Sequence, residues 1–137
     1  MTALYLDSSA FVKLIVDEAE AAALRRHLAA TRARRTSSAL LRTEALRAVR
    51  HLGPEALALA REATHRVDLI AIDDRILDAA GLLEPGIVRT LDAIHLATAL
   101  ALGDDLEAIV TYDQRMVDGA RLLGLPVVSV GARPTPG

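Results

Sequence analysis

Four short apolar runs, at residues 3–6, 69–72, 108–111 and 127–130, constrain the fold more than any other feature of this sequence. Each run is continuous. A strand with one wet face alternates apolar and polar residues, whereas a strand apolar on both faces belongs to a parallel sheet covered by helices. Residues 36–38 (Thr36-Ser37-Ser38) give a weaker signal for a fifth strand. Helical patterns fill the intervals at 10–16, 18–33, 40–52, 54–67, 74–83, 92–102 and 114–123. Leu24 and Leu28 lie one turn apart, and Leu57, Ala60, Thr64 and Val67 recur at helical spacing. Gly53-Pro54 stops one helix and opens the next with Pro in the first turn. Gly103 and Gly124 fall where helices end on glycine. Strand alternating with helix predicts an α/β domain, three-layer α/β/α, with a mainly parallel sheet of four or five strands.

The 137 residues fit one domain, 1–130, with 131–137 (Gly-Ala-Arg-Pro-Thr-Pro-Gly) expected as a flexible tail. Cysteine is absent, which excludes disulfides and Cys-ligated zinc or iron–sulfur centres. Phe11, Tyr5 and Tyr112 are the whole aromatic set, so stacking platforms for single-stranded nucleic acid are not expected. Lys13 is the single lysine among 16 basic residues, and the net charge of −2 does not mark a general nucleic-acid binder. The opening Met-Thr-Ala-Leu-Tyr-Leu-Asp lacks the basic segment of a secretory signal. The longest apolar stretch, 93–103, contains His95 and is too short to span a membrane. Together these features predict a cytoplasmic protein with no membrane association.

Ligands of open α/β sheets bind outside the carboxyl ends of the strands. Asp7 directly follows the first run, and Asp113 follows the third by way of Tyr112. Either alone reads as a helix cap or turn residue; two at equivalent ends point into one crevice. Glu44 falls inside the apolar sector formed by Leu40, Leu41, Ala45, Ala48 and Leu52. A carboxylate aimed at a core needs an arginine partner or a cation. Asp92 opens a helix that is apolar almost all round and therefore buried. Convergent carboxylates raise one another's proton affinity unless a cation neutralises them. All-oxygen donors suit Mg²⁺ or Mn²⁺, one or two ions per site, which can bridge a phosphodiester and activate water.

Several segments resemble the PIN-domain family, and within it the VapC-like toxins of toxin–antitoxin pairs. They are Tyr5-Leu6-Asp7-Ser8-Ser9-Ala10; Ser37-Ser38-Ala39-Leu40 followed by Glu44; Leu91-Asp92-Ala93-Ile94-His95-Leu96-Ala97-Thr98-Ala99; and Thr111-Tyr112-Asp113-Gln114-Arg115-Met116 followed by Gly124-Leu125-Pro126-Val127. Four segments in order, covering nearly the whole chain, are far more specific than any one. The resemblance implies a metal-dependent endoribonuclease with Asp7, Glu44, Asp92 and Asp113 as catalytic and metal-site acids. It implies Ser9 and Thr111 as supporting hydroxyls, a cognate antitoxin that covers the acidic groove, an RNA substrate, and homodimers that join larger toxin–antitoxin assemblies.

His95, one turn after Asp92, reads as a hydrogen-bonded residue behind the acids rather than a ligand of a hard cation. Arg32, Arg34 and Arg35, beside the second motif, and Arg47, with Arg42 and Arg50 on the polar side of the Glu44 helix, are candidates for holding an RNA backbone; a solvated face is the alternative. Asp73-Asp74 reads as a helix cap, Asp104-Asp105 as a solvated loop, and His27, His51 and His65 as surface residues. Lys13 receives no role. A structure-specific DNA nuclease and a non-catalytic α/β signalling module remain alternative readings. A phospho-receiver domain would need a lysine after the last strand, and 127–137 contains none.

Overall fold

The computed structural model describes residues 1–84, 86 and 88–133. Its sheet has five parallel strands: β1 (Ala3–Leu6), β2 (Arg34–Ser38), β3 (Asp68–Ile70), β4 (Leu106–Val110) and β5 (Val127–Val128), in the order β3-β2-β1-β4-β5. The helices are α1 (Ser8–Val12), α2 (Ala21–Ala30), α3 (Leu41–Val49), α4 (Pro54–Thr64), α5 (Asp74–Gly81), α6 (Thr90–Leu100) and α7 (Gln114–Leu122). Residues 134–137 of the expected tail lie outside the described residues.

Two apolar layers sandwich the sheet. On one face Leu4, Leu6 and Val110 pack on Leu24 and Leu28 of α2. On the other, Tyr5 and Ile109 pack on Leu96 and Ala99 of α6 and on Met116 and Ala120 of α7. Alternation along β1 sends Leu4 and Leu6 one way and Tyr5 the other, so burial on both faces produces the continuous apolar run seen in the sequence. A third cluster of Phe11, Leu41, Ala45 and Val67 fastens α1 to α3.

β2 is the polar exception, and its hydroxyls explain how it lies inside the sheet, between β3 and β1. Thr36 and Ser37 donate to the Leu4 and Leu6 carbonyls at 3.0 and 2.5 Å, so neither is left unsatisfied although both are buried. Behind β5 the chain passes so close to α2 that a Cβ on Gly131 would lie 2.6 Å from the Ala23 Cβ. Gly131 also has φ +77°, so glycine is required there on two counts.

From β1 the chain steps outward to β2 and β3, then returns to the other side of β1 for β4 and β5. The direction reverses between β1 and β4. That reversal opens a crevice at their carboxyl ends, where ligands of such sheets bind.

Candidate active site

Asp7 and Asp113 flank this crevice. Asp7 caps α1 and is 3% exposed. Its Oδ1 accepts from the Ser9 hydroxyl at 2.7 Å and the Ala10 N–H at 3.0 Å, and its Oδ2 accepts from the Thr111 hydroxyl. The two hydroxyls are themselves aimed by backbone donors: Tyr112 N–H to Ser9 Oγ at 2.9 Å, and Asp113 N–H to Thr111 Oγ1 at 3.1 Å. The segment after β4 therefore clamps the residue after β1. A carboxylate offers about four acceptor positions. Three are filled here, which leaves one on Oδ2. Burial pushes the Asp7 carboxyl above the usual carboxylate range, against the pull of the Ser9, Thr111 and Ala10 hydrogen bonds.

Glu44, one turn into α3, is turned inward as its place in the apolar sector predicts. Its partner is a histidine, not an arginine: Oε1 lies 2.5 Å from Nε2 of the buried His95. The His95 Nδ1 lies 2.6 Å from the Tyr5 hydroxyl, with the two rings edge to face at 5.8 Å. Desolvation pushes the Tyr5 phenol upward, so it remains protonated. The second Glu44 oxygen makes no hydrogen bond among the described residues.

Asp92 does not open its helix. α6 begins at Thr90, which puts Asp92 in the first turn, where an acid suits the helix dipole. Its carboxyl is held above the usual range by partial burial and then by the negative charge of Asp113, against Arg115 and Arg89. Asp113 caps α7, accepting from the Arg115 N–H at 3.0 Å, with the Arg115 guanidinium 3.4 Å from its Oδ2.

No three acids or histidines among the described residues meet closely enough to cage a metal by themselves. The donor set nevertheless fits a hard cation. It is all carboxylate, one member is buried with a single open acceptor position, and two others repel one another. Mg²⁺ in particular is commonly held by one or two carboxylates, with water and substrate oxygens completing its shell.

The arginines sort differently from the sequence expectation. β2 starts at Arg34, so Arg32, Arg34 and Arg35 lie at the amino end of the sheet, and Arg34 pairs with Asp68 at 3.6 Å. A parallel strand rises about 3.3 Å per residue, which puts Arg34 about 13 Å from the carboxyl end at Ser38. This cluster is not brought to the acids. Arg47 is exposed on α3, one turn past Glu44. Two arginines without an assigned role lie closer: Arg89 and Arg115 line a 160 Å³ cavity with Asp92, between the start of α6 and α7. Arg115 was visible as the second residue after Asp113, but nothing local linked Arg89 to Asp92. Asp73 caps α5, accepting from Ile76 N–H at 3.0 Å, and Asp104, Asp105, His27, His51 and His65 are exposed. Lys13 is buried, with Nζ 3.1 Å from Glu20, 2.9 Å from the Ala19 carbonyl and 4.6 Å from the centre of the Tyr112 ring. Burial, then Glu20 and Asp7, push the Tyr112 phenol up to about 12.

The sheet order defines an α/β domain that carries acids beyond the carboxyl ends of its central strands. The PIN domain family model matches residues 4–122, and the chain belongs to the PIN-domain family. Within that family it stands with the VapC ribonucleases. It is 54% identical over 129 residues to Ribonuclease VapC46 of Mycobacterium tuberculosis, covering 94% of this chain and 98% of that protein. It is 42% identical over 131 residues to Ribonuclease VapC35 of the same species, covering 93% and 97%. The crystal structure of M. tuberculosis VapC20, described as a sarcin–ricin loop cleaving toxin, superposes with a TM-score of 0.73 over 96% of this chain and 100% of that one. At 16% identity this last likeness concerns the fold alone.

Proposed function

We propose that this chain is a toxin endoribonuclease, dependent on Mg²⁺ or Mn²⁺, that hydrolyses RNA phosphodiester bonds and is restrained by a cognate antitoxin. The observation that carries the reading is Asp7: a buried carboxylate, fixed by two hydroxyls and a backbone N–H, with one acceptor position open at the switch point. Such a group costs stability unless a cation arrives, and the fold retains it. The bound metal would supply Lewis acidity toward the phosphodiester and the attacking water.

The chain's own residues supply the rest. Asp7 gives a ligand oxygen that cannot rotate, since Ser9 and Thr111 hold both ends of its carboxylate. Glu44 gives a second, held by His95. Asp92, with its raised proton affinity, takes the proton of the attacking water. Arg89 and Arg115 hold a neighbouring phosphate in the cavity beside Asp92. Arg47 extends the basic track along α3. The antitoxin covers the groove and presents an arginine or lysine to the carboxylates. The toxin pairs as a homodimer that can join larger toxin–antitoxin assemblies, in the cytoplasm. No helix of the described residues is long and apolar enough to cross a membrane.

The test is cleavage of a total-RNA pool by the purified chain with Mg²⁺, with Mn²⁺ and with chelator, beside Asp7→Asn and Asp92→Asn. Discrete metal-dependent fragments, absent from both folded variants, are expected. Cleavage that survives in both variants would refute the assignment. Intact RNA with cleaved DNA would transfer the reading to a DNA nuclease.

A further inference from the structure

We propose that the cavity between α7 and the carboxyl end of β5 is a subsite for a nucleotide of the RNA strand, its phosphate held by Arg121 and Arg133 and its base set against the valines of the wall. This inference rests on the ribonuclease reading and names a place where the strand is gripped beyond the bond that is cut.

The cavity has a volume of about 430 Å³, within the range of small-ligand sites. Two of its residues, Tyr112 and Gln114, stand on either side of Asp113 in the chain, so it opens beside the acids of the candidate site. Helix α7 is the partition. Gln114, Val117 and Arg121 share a stripe of the helix and line this cavity, whereas Arg115, Asp118 and Gly119 line the one that also holds Arg89 and Asp92. Asp113 caps the helix between the two. A strand crossing that cap meets a pair of arginines on each side. Lys13 also lines the cavity, but its ammonium donors are spent on Glu18, the Ala19 carbonyl and Glu20. The charge left for a ligand belongs to Arg121 and Arg133, both exposed and neither paired with a carboxylate among the described residues. Paired guanidinium forks suit a phosphate. Arg121 lies about 10 Å along the helix from Gln114, so that phosphate is a neighbour of the scissile one along the strand. The rest of the cavity suits a base. Val117 and Val127 give an apolar wall. Gln114 spends one N–H on Asp118 at 2.8 Å and keeps its carbonyl and second N–H for a base edge. The wall is also fixed in advance: the Tyr112 hydroxyl donates to the Val130 carbonyl at 2.7 Å, the Ser129 hydroxyl to the Thr111 carbonyl at 2.6 Å, and the Ala132 N–H to the Ser129 carbonyl at 3.1 Å. Such preorganisation reduces the entropy lost on binding.

The experiment is fluorescence anisotropy of the full chain with a labelled single-stranded RNA of random sequence, in chelator, over a series of salt concentrations. Wild type is run beside Arg121→Gln, Arg133→Gln and their double variant. Arg61→Gln, on α4 before the opposite edge strand β3, controls for lost charge alone. Circular dichroism checks that each is folded. Each single cavity variant should bind several-fold more weakly. In the double variant the slope of log affinity against log salt should flatten by about 0.7, the value for one phosphate contact to a single strand. Arg61→Gln should keep the wild-type slope. In parallel, ¹⁵N NMR follows the Val128 and Ser129 amides as each common ribonucleoside 5′-monophosphate is added, with ribose 5-phosphate as the probe that lacks a base. At least one nucleotide should shift these amides more than ribose 5-phosphate does. Wild type without RNA affinity, an unchanged slope in the double variant, or an equal flattening in Arg61→Gln would overturn the proposal. So would nucleotides that shift the amides no more than ribose 5-phosphate. RNA held through both arginines yet left intact when Mg²⁺ or Mn²⁺ is supplied would support the subsite while refuting the ribonuclease reading.

Discussion

Replacing Thr111 by Val changes little in shape but removes the hydroxyl that joins β4 to the acid after β1. Thr111 is fully buried. The substitution deletes its hydrogen bond to Asp7 Oδ2 and leaves the Asp113 N–H without its acceptor at 3.1 Å. A hydrogen bond to a charged group is worth about 1.5–3 kcal/mol, and Asp113 lies near enough to the surface for water to replace its lost partner. The expected loss is about 2 kcal/mol where Asp7 is ionised. For a domain of this size that is a fall in Tm of about 6–8 °C. The loss has a definite pH dependence. The Thr111 hydroxyl stabilises the ionised carboxylate and pulls down a carboxyl that burial has raised. The penalty should be full at pH values above the raised folded value, where Asp7 is ionised, and should shrink as the pH falls through that value and Asp7 takes up its proton. Thermal melts of both proteins, metal-free, at a series of pH values measure this. Equal stability across the whole pH series, or a difference that does not change with pH, would refute the reasoning.

Other outcomes follow from the same geometry. The raised Asp7 carboxyl binds its proton more tightly in the folded state than in the unfolded one, so its contribution favours folding below the ordinary carboxylate range and is lost as the pH rises through the folded value; Asp7→Asn should remove that component from a pH series of metal-free melts. Asp92→Asn should raise the metal-free Tm by removing a partly buried charge and its repulsion from Asp113, while RNA cleavage falls about 100-fold or more; a lower Tm would contradict the electrostatics. Gly131→Ala should cost about 2–3 kcal/mol in denaturant unfolding, because the residue has φ +77° and its new methyl would meet Ala23.

The parts of this molecule visible in its sequence are those whose cause is local. The apolar run at 3–6 became β1 with its predicted ends, because burial on both faces leaves a continuous signature. Glu44 could be seen facing inward because helical periodicity is a property of α3 alone. Its partner could not be seen: His95 arrives from α6, 51 residues away, and only the packing of α6 beside β2 brings them together. β2 was weak in the sequence because Thr36 and Ser37 are buried with hydroxyls satisfied across the sheet, a solution that hydropathy cannot register. Arg32, Arg34 and Arg35 looked close to the second motif because sequence distance ignores direction along a strand; β2 carries them to the far end of the sheet. Lys13 had no reading because Glu20, the Ala19 carbonyl and the Tyr112 ring converge on it only after the chain has folded.

The proposed function requires Asp7, Glu44, Asp92 and Asp113 to serve a divalent-cation site at the β1–β4 switch point. Mn²⁺ binding followed by electron paramagnetic resonance, on the metal-free chain and on Asp7→Asn, Glu44→Gln, Asp92→Asn and Asp113→Asn, tests it most directly. The account predicts a site in the wild type that is weakened in every one of the four folded variants. Binding left unchanged by all four substitutions, or no binding by the wild type, would contradict it.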